Sequence, residues 1–452
     1  MKHYYQFNKA SQAAQYGIGT YFRQLCALRF QDMVEMSRII GFLLIIFLGV
    51  GCSDSTRTTK SQETQEKTST APDTMADQEK QNQYPSEHDT TRGDYRHTDR
   101  TASFYNIPYK KKAHSIKVQE LFKNIKYVRL ETNSNTFVKD DIDKIENKNG
   151  TIYIKDTKSS RQEVMLFDEK GRHVRNINRR GGGPEEYTNG VNIAVNGKGY
   201  ISFADRTGKG RIVTYTSEGK FISRIELPGI DLQDLTYLND TILALRSDMF
   251  KAGEKFHLLN MNTRKIVRSF YPKKYRAYHM WFVESFTAYQ GKIIAAGYQS
   301  NDIVEVSQDT AIVKYTLNIG NKMPPPDFWE SQPSYEVTKR EEKSKEYIGH
   351  IPCFAENDRY MFVSFMGSLG QDNLQSLALI DKKTGQSRTY QQIILADNVI
   401  ISPYVFFWQG NGKIVIPVWP DKVIDSANKE FLSQFPNLEQ DDNPILLFGE
   451  LK

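Results

Sequence analysis

Short runs of alternating apolar and polar residues, bounded by turn residues, make up most of the chain after residue 115. One such pattern occurs twice: residues 166–174 align with residues 214–222 at an offset of 48. Each copy follows a short apolar strand that ends in an aspartate, Asp156 in the first copy and Asp205 in the second. A period in the forties that contains only strands and turns is typical of a propeller blade.

The pattern continues to the C-terminus and predicts an all-β fold, a six-bladed β-propeller over residues 116–452. The predicted blades span residues 142–177, 191–227, 235–270, 282–317, 348–391 and 400–448. Seven blades is the alternative, because an insertion beginning at Pro324 has room for further strands.

Three smaller elements complete this prediction. Residues 116–122 are predicted to form a short helical turn, and residues 427–435 have a helix-like pattern. A strand over residues 125–130 precedes the first blade. We expect this strand to pair with the last blade, because an open propeller would expose sheet edges.

The N-terminal region has the features of an export signal. Residues 37–52 contain one positive charge, about a dozen apolar residues and then small residues before Cys52. Such an apolar run is too short to span a bilayer comfortably. Its end resembles a bacterial lipobox, which implies that Cys52 is lipidated; an uncleaved anchor is the alternative. We interpret residues 36–52 as a lipoprotein signal peptide and residues 1–35 as an upstream mis-start or an extension.

Residues 53–101 are rich in Ser, Thr, Gln, Glu, Lys and Asp and have almost no aliphatic side chains. A segment of this composition cannot bury enough apolar surface to offset the entropy lost on ordering. It is therefore predicted to be a disordered tether that holds the propeller away from the membrane surface.

Charge and composition exclude several classes of function. The net charge of +6 is mild, and the basic residues are scattered among acids, so we expect no nucleic-acid partner. Three cysteines cannot form a disulfide framework, and Cys353 is predicted to be a buried thiol. The eight histidines lack zinc-ligand spacing, so no metal and no cofactor is expected. No Gly-x-Ser-x-Gly motif is present, and no catalytic residue can be assigned.

A glycine-rich segment, residues 181–187, separates the first two blades. A phosphate-binding loop is disfavoured because no Lys-Ser/Thr pair and no helix start follow it. We interpret it as a tight link in which glycines adopt positive φ and the last two residues anchor the link by hydrogen bonds. The residues assigned to this structural role are Gly181, Gly183, Pro184, Glu186 and Tyr187.

Asp156 and Asp205 occupy equivalent positions in their blades and are candidates for a central calcium site. Calcium takes six to eight oxygen ligands. The corresponding strands of the other blades end at Arg246, Gly297, Phe365 and Pro417, none of which is a carboxylate. A role in capping turns is therefore favoured.

The segment that joins blades three and four is the best candidate for a ligand-binding site, because it combines aromatic residues with cations. Such side chains stack on sugar rings or bind anions, although aromatic residues in propellers also pack between blades. The tentative ligand-binding residues are Tyr275, Arg276, Tyr278, Trp281 and, from the insertion, Trp329.

Residues 116–452 resemble the six-bladed propeller lipoproteins of Bacteroidetes, which are similar in shape to the NHL and TolB-like propellers. The resemblance is carried by residues 181–187, similar to that family's Gly-Arg-Gly-Pro-Gly-Glu-Tyr link, and by residues 121–131. This sequence departs from the link motif at Gly182 and Glu185. The resemblance implies a propeller in the cell envelope and implies little about chemistry.

The sequence therefore favours a lipid-anchored, monomeric envelope propeller that acts without catalysis as a binding or scaffolding module. Its expected partners are the membrane, through the anchor, and a glycan, small ligand or envelope protein. The alternative is an envelope hydrolase or lyase that acts on glycans or lactones at the central cavity. That alternative predicts acid and base groups that converge at the axis.

Overall fold

The computed structural model describes residues 103–107, 114–138, 142–156, 162–206, 210–247, 254–272, 286–296, 302–322, 347–351, 353–367, 376–401 and 406–452. In these ranges the chain forms seven β-sheets and a few short helices. The all-β propeller is confirmed, with the count of seven that the sequence left as the alternative to six. None of the helices in these ranges has the length and hydropathy needed to cross a membrane. The segments 1–35, 36–52 and 53–101, and Cys52 with them, lie outside the described residues.

The first described elements later join sheets formed by the C-terminal part of the chain. They are β1 (Ser103–Asn106), β2 (Ser115–Lys117), α1 (Val118–Leu121) and β3 (Phe122–Arg129). The helical turn predicted over residues 116–122 is thus limited to the four residues of α1. Val118 and Leu121 of α1 are buried, so packing of its apolar side fixes this short helix between two strands.

Sheets 1 and 2 are four-stranded antiparallel meanders that contain the sequence repeat. Sheet 1 consists of β4 (Ile142–Lys148), β5 (Thr151–Asp156), β6 (Val164–Asp168) and β7 (His173–Ile177). Sheet 2 consists of β8 (Gly190–Val195), β9 (Ile201–Asp205), β10 (Arg211–Tyr215) and β11 (Phe221–Glu226). Gly171 and Gly219 occupy the same turn in the two copies, with φ of 81° and 79°. Only glycine adopts this conformation without strain, which explains why both copies contain it.

Sheets 3 and 4 repeat the same strand order. Sheet 3 consists of β12 (Asp234–Tyr237), β13 (Ile242–Arg246), β14 (Glu254–Asn260) and β15 (Lys265–Pro272). Sheet 4 consists of β16 (Phe286–Tyr289), β17 (Lys292–Ala296), β18 (Asp302–Val306) and β19 (Ala311–Asn318), and a 3-10 helix follows at Gly320–Lys322. Strand β1 adds a fifth strand to sheet 4 by pairing in parallel with β19.

The C-terminal region contains three sheets, of which sheet 6 was not predicted from the sequence. Sheet 5 consists of β20 (Ile348–His350), β21 (Phe354–Glu356), β22 (Tyr360–Gly367), β23 (Ser376–Asp381) and β24 (Ser387–Tyr390). Sheet 6 is small and consists of β25 (Gln392–Ala396), β26 (Val399–Ile401) and β2. Sheet 7 consists of β27 (Phe407–Gly410), β28 (Lys413–Val418), β29 (Ile445–Leu451) and β3, with α2 (Pro420–Ile424) and α3 (Lys429–Leu432) between β28 and β29.

Two C-terminal predictions are corrected by this arrangement. The single strand predicted over residues 400–408 is divided, because β26 belongs to sheet 6 and β27 to sheet 7. The helix-like segment predicted over residues 427–435 contains only the four residues of α3. Asn428 caps α3 by accepting a hydrogen bond from the backbone N–H of Phe431.

Pairing between the two ends of the described chain completes sheet 7. Strand β3 pairs antiparallel with β29, with Arg129 opposite Ile445 and Phe122 opposite Leu451. The predicted closure by the strand before the first blade is therefore confirmed. The first strands of sheets 1, 2, 3, 4 and 7 contact one another in the order β4, β8, β12, β16, β27 and back to β4, and β21 of sheet 5 contacts β16.

The hydrophobic core lies between neighbouring sheets. Between sheets 2 and 3, for example, Ile212 packs in one buried cluster with Leu235 and Leu245. Burying one such side chain contributes about 1.5–3 kcal/mol, so the sheet interfaces hold the fold together. Cys353 is a fully buried thiol, as the sequence predicted, and its Sγ lies 3.8 Å from Phe406 O.

Candidate functional site

Strand register defines two ends of the sheets. In sheets 1, 2 and 3, the start of the first strand lies opposite the end of the second, as in the pairs Gly190–Asp205 and Asp234–Arg246. We call this end the link face, because residues 178–189 join sheets 1 and 2 there. The opposite end, which holds the turns between the first and second strands of these sheets, is the turn face.

On the turn face, hydrogen bonds join turns that belong to different sheets. The Asn149 side chain donates to Gly197 O over 2.7 Å, and Gly197 N donates to Asp240 Oδ1 over 2.8 Å. Likewise, Asn411 N donates to Ala288 O over 2.7 Å. Asn149 and Asn411 have φ of 53° and 48° and each precedes a glycine with positive φ. Both residues of a tight hairpin turn need that geometry, so the Asn-Gly pairs specify these turns.

The link face also carries buried charged side chains, which lie at the ends of the inner strands. The Lys155 side chain is fully buried, with Nζ 2.9 Å from Asp156 O and 3.4 Å from Asp143 Oδ2. This burial lowers the pKa of Lys155, and the nearby carboxylates oppose the shift. In sheet 3, Arg246 is also buried.

The glycine-rich link on this face is held by Glu186. Its Oε2 accepts a hydrogen bond of 2.7 Å from Gly183 N. A Cβ added at Gly181 would lie 2.0 Å from that oxygen, and one added at Gly183 would lie 3.0 Å from it. Neither glycine has a positive φ, so the sequence-based reason for these glycines was wrong. They are needed because the Glu186 carboxylate packs directly against them. Pro184 lies in the same turn, which the Glu186 N–H closes by donating to Gly183 O over 3.2 Å.

Tyr187 attaches the link to the sheets beneath it. Its ring is fully buried and stacks on Phe203 with the centroids 4.4 Å apart. The Tyr187 hydroxyl donates to Gln162 O over 2.7 Å, and the Tyr215 hydroxyl donates to Glu185 O over 2.6 Å. Burial raises the pKa of both tyrosines, so both stay neutral donors.

Asp205 has a structural role in the same region. The carboxylate is fully buried and accepts hydrogen bonds from the backbone N–H groups of Thr188 and Asn189, at 2.8 and 3.0 Å. Arg211 Nε also donates to the Asp205 carboxylate over 2.8 Å. Within the described residues, no group of three or more potential metal ligands is found. The hydrogen bonds from Thr188 and Asn189 to Asp205 fix the end of the link, as the capping interpretation expects, and Asp156 is buried at the equivalent end of β5.

A row of polar side chains crosses sheet 3 at the link face. Ser247 Oγ lies 2.9 Å from His257 Nε2, and His257 Nδ1 lies 2.9 Å from Ser269 Oγ. Leu245 pairs with His257, so the row is on the side of the sheet that packs on sheet 2. Asp234 of β12 pairs with Arg246 of β13, so the preceding residue, Gln233, lies opposite Ser247 and extends the row.

Gln233 is the unusual member of this row. It is 4% exposed, and neither its amide nitrogen nor its amide oxygen has a hydrogen-bond partner in the structure. Its backbone N–H donates to Arg246 O over 2.9 Å, which holds it beside β13. Sequence reasoning missed this row, since its members are ten or more residues apart and match no motif. Their recurrence near the same end of successive strands is the signal that would have found them.

The residues predicted to bind a ligand, Tyr275, Arg276, Tyr278, Trp281 and Trp329, lie outside the described residues. The strands that flank the first four are β15 and β16. Pro272 is opposite Glu254 at one end of sheet 3, and Phe286 is opposite Ala295 in sheet 4. Both flanking residues are at the link-face ends of their strands.

Comparison with known proteins finds one family and several similar solved structures. The model for a domain of unknown function, DUF4934, matches residues 104–450. A solved protein of Bacteroides fragilis NCTC 9343, inferred to be exported, is similar over 78% of this chain and 100% of its own, with TM-score 0.60 and 17% identity. A member of the DUF4221 family from Bacteroides vulgatus ATCC 8482 covers 74% of this chain and 97% of its own, with TM-score 0.47 and 12% identity. No curated protein matches the sequence.

Proposed function

This chain belongs to the DUF4934 family, and from that premise we propose that it is an exported, lipid-anchored module that binds its ligand at the link face without catalysis. The ligand is a glycan, a small molecule or an envelope protein. One observation carries the proposal: the two ends of the sheets differ. On the turn face, hydrogen bonds join the turns of different sheets, and the buried charge of Glu356 is paired with Lys314 and Lys382. The link face holds Gln233, a buried amide side chain of which neither polar atom has a hydrogen-bond partner.

The aromatic segment of the predicted site supports the same face. It joins β15 to β16, whose flanking residues are at the link-face end. We propose that Tyr275, Tyr278 and Trp281 stack on the ligand, that Arg276 pairs with a polar group of it, and that Trp329 contributes from the insertion. The proposed ligand is therefore one that has an extended apolar face, as sugar rings do.

Binding of the purified full chain to an array of neutral and anionic oligosaccharides, and to envelope extracts, tests this function. We expect one ligand class to be retained, and Trp281→Ala together with Arg276→Ala to weaken its binding at least tenfold. Lys198→Ala is the matched control, because Lys198 is exposed in a turn-face hairpin. Binding that depends on Lys198 and not on the link-face residues would contradict the proposal.

Export and anchoring at Cys52 are part of the proposal. The relative from Bacteroides fragilis is inferred to be exported, which supports an envelope location. Cells that are fed labelled palmitate should incorporate it into the wild-type protein and not into Cys52→Ala. The variant should leave the membrane fraction, and size-exclusion chromatography of the released protein should give a monomer. A Cys52→Ala variant that stays in the membrane would favour the uncleaved anchor.

A hydrolase is the second candidate, and one observation favours it. The contact between Ser247 Oγ and His257 Nε2, 2.9 Å long, pairs a nucleophile with a base. It lies on the side of sheet 3 that packs on sheet 2, whereas the sequence-based alternative named the central cavity. Turnover of an ester by the purified chain, absent from a binding module, separates the two candidates.

A further inference from the structure

We propose that Ser247 is a nucleophile, that His257 is its general base and that Gln233 donates to the oxyanion, so that the polar row of sheet 3 hydrolyses small acyl esters. This activity develops the hydrolase candidate and would replace the non-catalytic role. Ligand binding at the link face depends on different residues and is compatible with it.

The contacts of His257 orient it as a base. When Nδ1 carries the proton, it donates to Ser269 Oγ at 2.9 Å, and Nε2 is left to accept the hydroxyl proton of Ser247 at 2.9 Å. A nucleophile, a base and a third group that orients the base form the arrangement used in covalent catalysis. Ser269 is a positioning residue in this scheme.

Gln233 supplies the group that a Ser-His pair alone lacks. An amide N–H that points to the place where negative charge develops stabilises the tetrahedral intermediate of acyl transfer. Register sets Gln233 opposite Ser247, since the neighbouring pair is Asp234–Arg246. Both amide atoms of Gln233 are buried and have no partner in the structure, so its N–H donors are available to a ligand. Folding rarely leaves a buried amide unsatisfied unless another molecule completes it.

The reaction balances without a cofactor. Ser247 Oγ bonds to the ester carbonyl carbon while its proton moves to His257 Nε2. The C–O bond to the leaving group then breaks, and the alcohol leaves with that proton. Water attacks the acyl-serine, gives a proton to His257 and releases the acid as Ser247 regains its hydrogen.

The surroundings of the row limit the substrate class. The orienting group, Ser269, is neutral, so it stabilises the imidazolium less than a carboxylate would. An alkoxide leaving group requires less help from the acid than an amine does, which favours esters over amides. Ser247, His257 and Gln233 are 5%, 7% and 4% exposed, which favours small acyl groups.

The test uses the full chain, purified in detergent, with a fluorophosphonate probe and p-nitrophenyl acetate. We expect one covalent adduct, mapped to Ser247, and none on the Ser247→Ala variant. His257→Gln should lower the rate of adduct formation by about 10²–10⁴-fold. Gln233→Leu should lower it by about 10²–10³-fold. Ser202→Ala is the control: Ser202 is also buried, but its hydroxyl lies 2.8 Å from Thr214 Oγ1 and 2.7 Å from the Tyr237 hydroxyl and has no histidine partner.

A second variant tests the base independently of hydrolysis. In Ser247→Cys, the new thiol should react with iodoacetamide faster than Cys353, which is fully buried. Adding His257→Gln should remove that advantage. Failure of the wild type to form an adduct, an adduct at another residue, or labelling that survives His257→Gln overturns the proposal. Ligand binding that persists through these variants would leave the binding function intact.

Discussion

Replacing Asp205 by alanine should be among the most damaging single changes to this fold. The carboxylate is fully buried, and Arg211, whose side chain is 11% exposed, lies 2.8 Å from it. The substitution leaves the largely buried Arg211 guanidinium without the Asp205 charge. It also removes the acceptor for the N–H groups of Thr188 and Asn189. Breaking a buried ion pair from one side costs about 3–5 kcal/mol. We therefore expect Asp205→Ala to lower the free energy of unfolding by about that amount.

Asp168 offers a matched control, because it has the same kinds of partners at the surface. It accepts from the backbone N–H groups of Lys170 and Arg172, both at 2.9 Å, and from Arg172 Nε at 2.7 Å. The Arg172 side chain is 72% exposed and that of Asp168 is 26% exposed. Exposed pairs contribute about 0–1 kcal/mol, so Asp168→Ala should cost about 1 kcal/mol or less.

Urea titration followed by far-UV circular dichroism measures both variants against the wild type. A third variant, Asp205→Leu with Arg211→Met, removes both charges and should recover part of the loss, because a buried ion pair is often replaced by apolar residues at little cost. Equal effects of Asp205→Ala and Asp168→Ala would refute the reasoning, since burial is the difference between the two sites.

Three further predictions concern single contacts. Gly181→Ala should destabilise the wild type but cost little in a Glu186→Ala background, because the added Cβ meets only the Glu186 carboxylate among its nearest neighbours; equal costs in a double-mutant cycle would contradict this. Burial raises the pKa of Tyr237 to about 12, so its contribution to stability is complete below pH 10 and is lost as pH rises through about 12. Urea midpoints between pH 9 and 12 should fall less steeply in Tyr237→Phe. Thr287→Val should leave stability unchanged or raise it by about 1 kcal/mol, because the buried Thr287 hydroxyl has no partner. Thr214→Val should lower it by a similar amount, because its hydroxyl lies 2.8 Å from Ser202 Oγ; thermal melts that rank the two in the opposite order would contradict the assignment.

The repeat at an offset of 48 residues predicted the blades well, because strand alternation and glycine turns are local features. Gly171 and Gly219 have nearly the same φ in the two copies. The small sheet 6 could not be predicted in this way. Its parallel pair sets Ser115 opposite Gln392, and no short-range pattern records a contact between such distant segments. Closure by β3 was predictable only from the general need to protect a sheet edge.

The candidate sites were predicted less well than the fold. The role of Gly181 depends on where the Glu186 side chain lies, which is a tertiary contact and not a backbone preference. The pairing of Ser247 with His257 depends on strand register, and a shift by one residue would place them on opposite sides of the sheet. Sequence patterns fix which strands exist more firmly than they fix register.

The pairing of β3 with β29 has a consequence for how the protein matures. The two strands are roughly 300 residues apart, and joining ends at that distance costs about 5 kcal/mol of chain entropy beyond a constant. A polypeptide that is synthesised from its N-terminus presents β3 long before its partner strand. Until the last strand arrives, β3 is an unprotected sheet edge, so we expect this early intermediate to need a holding chaperone.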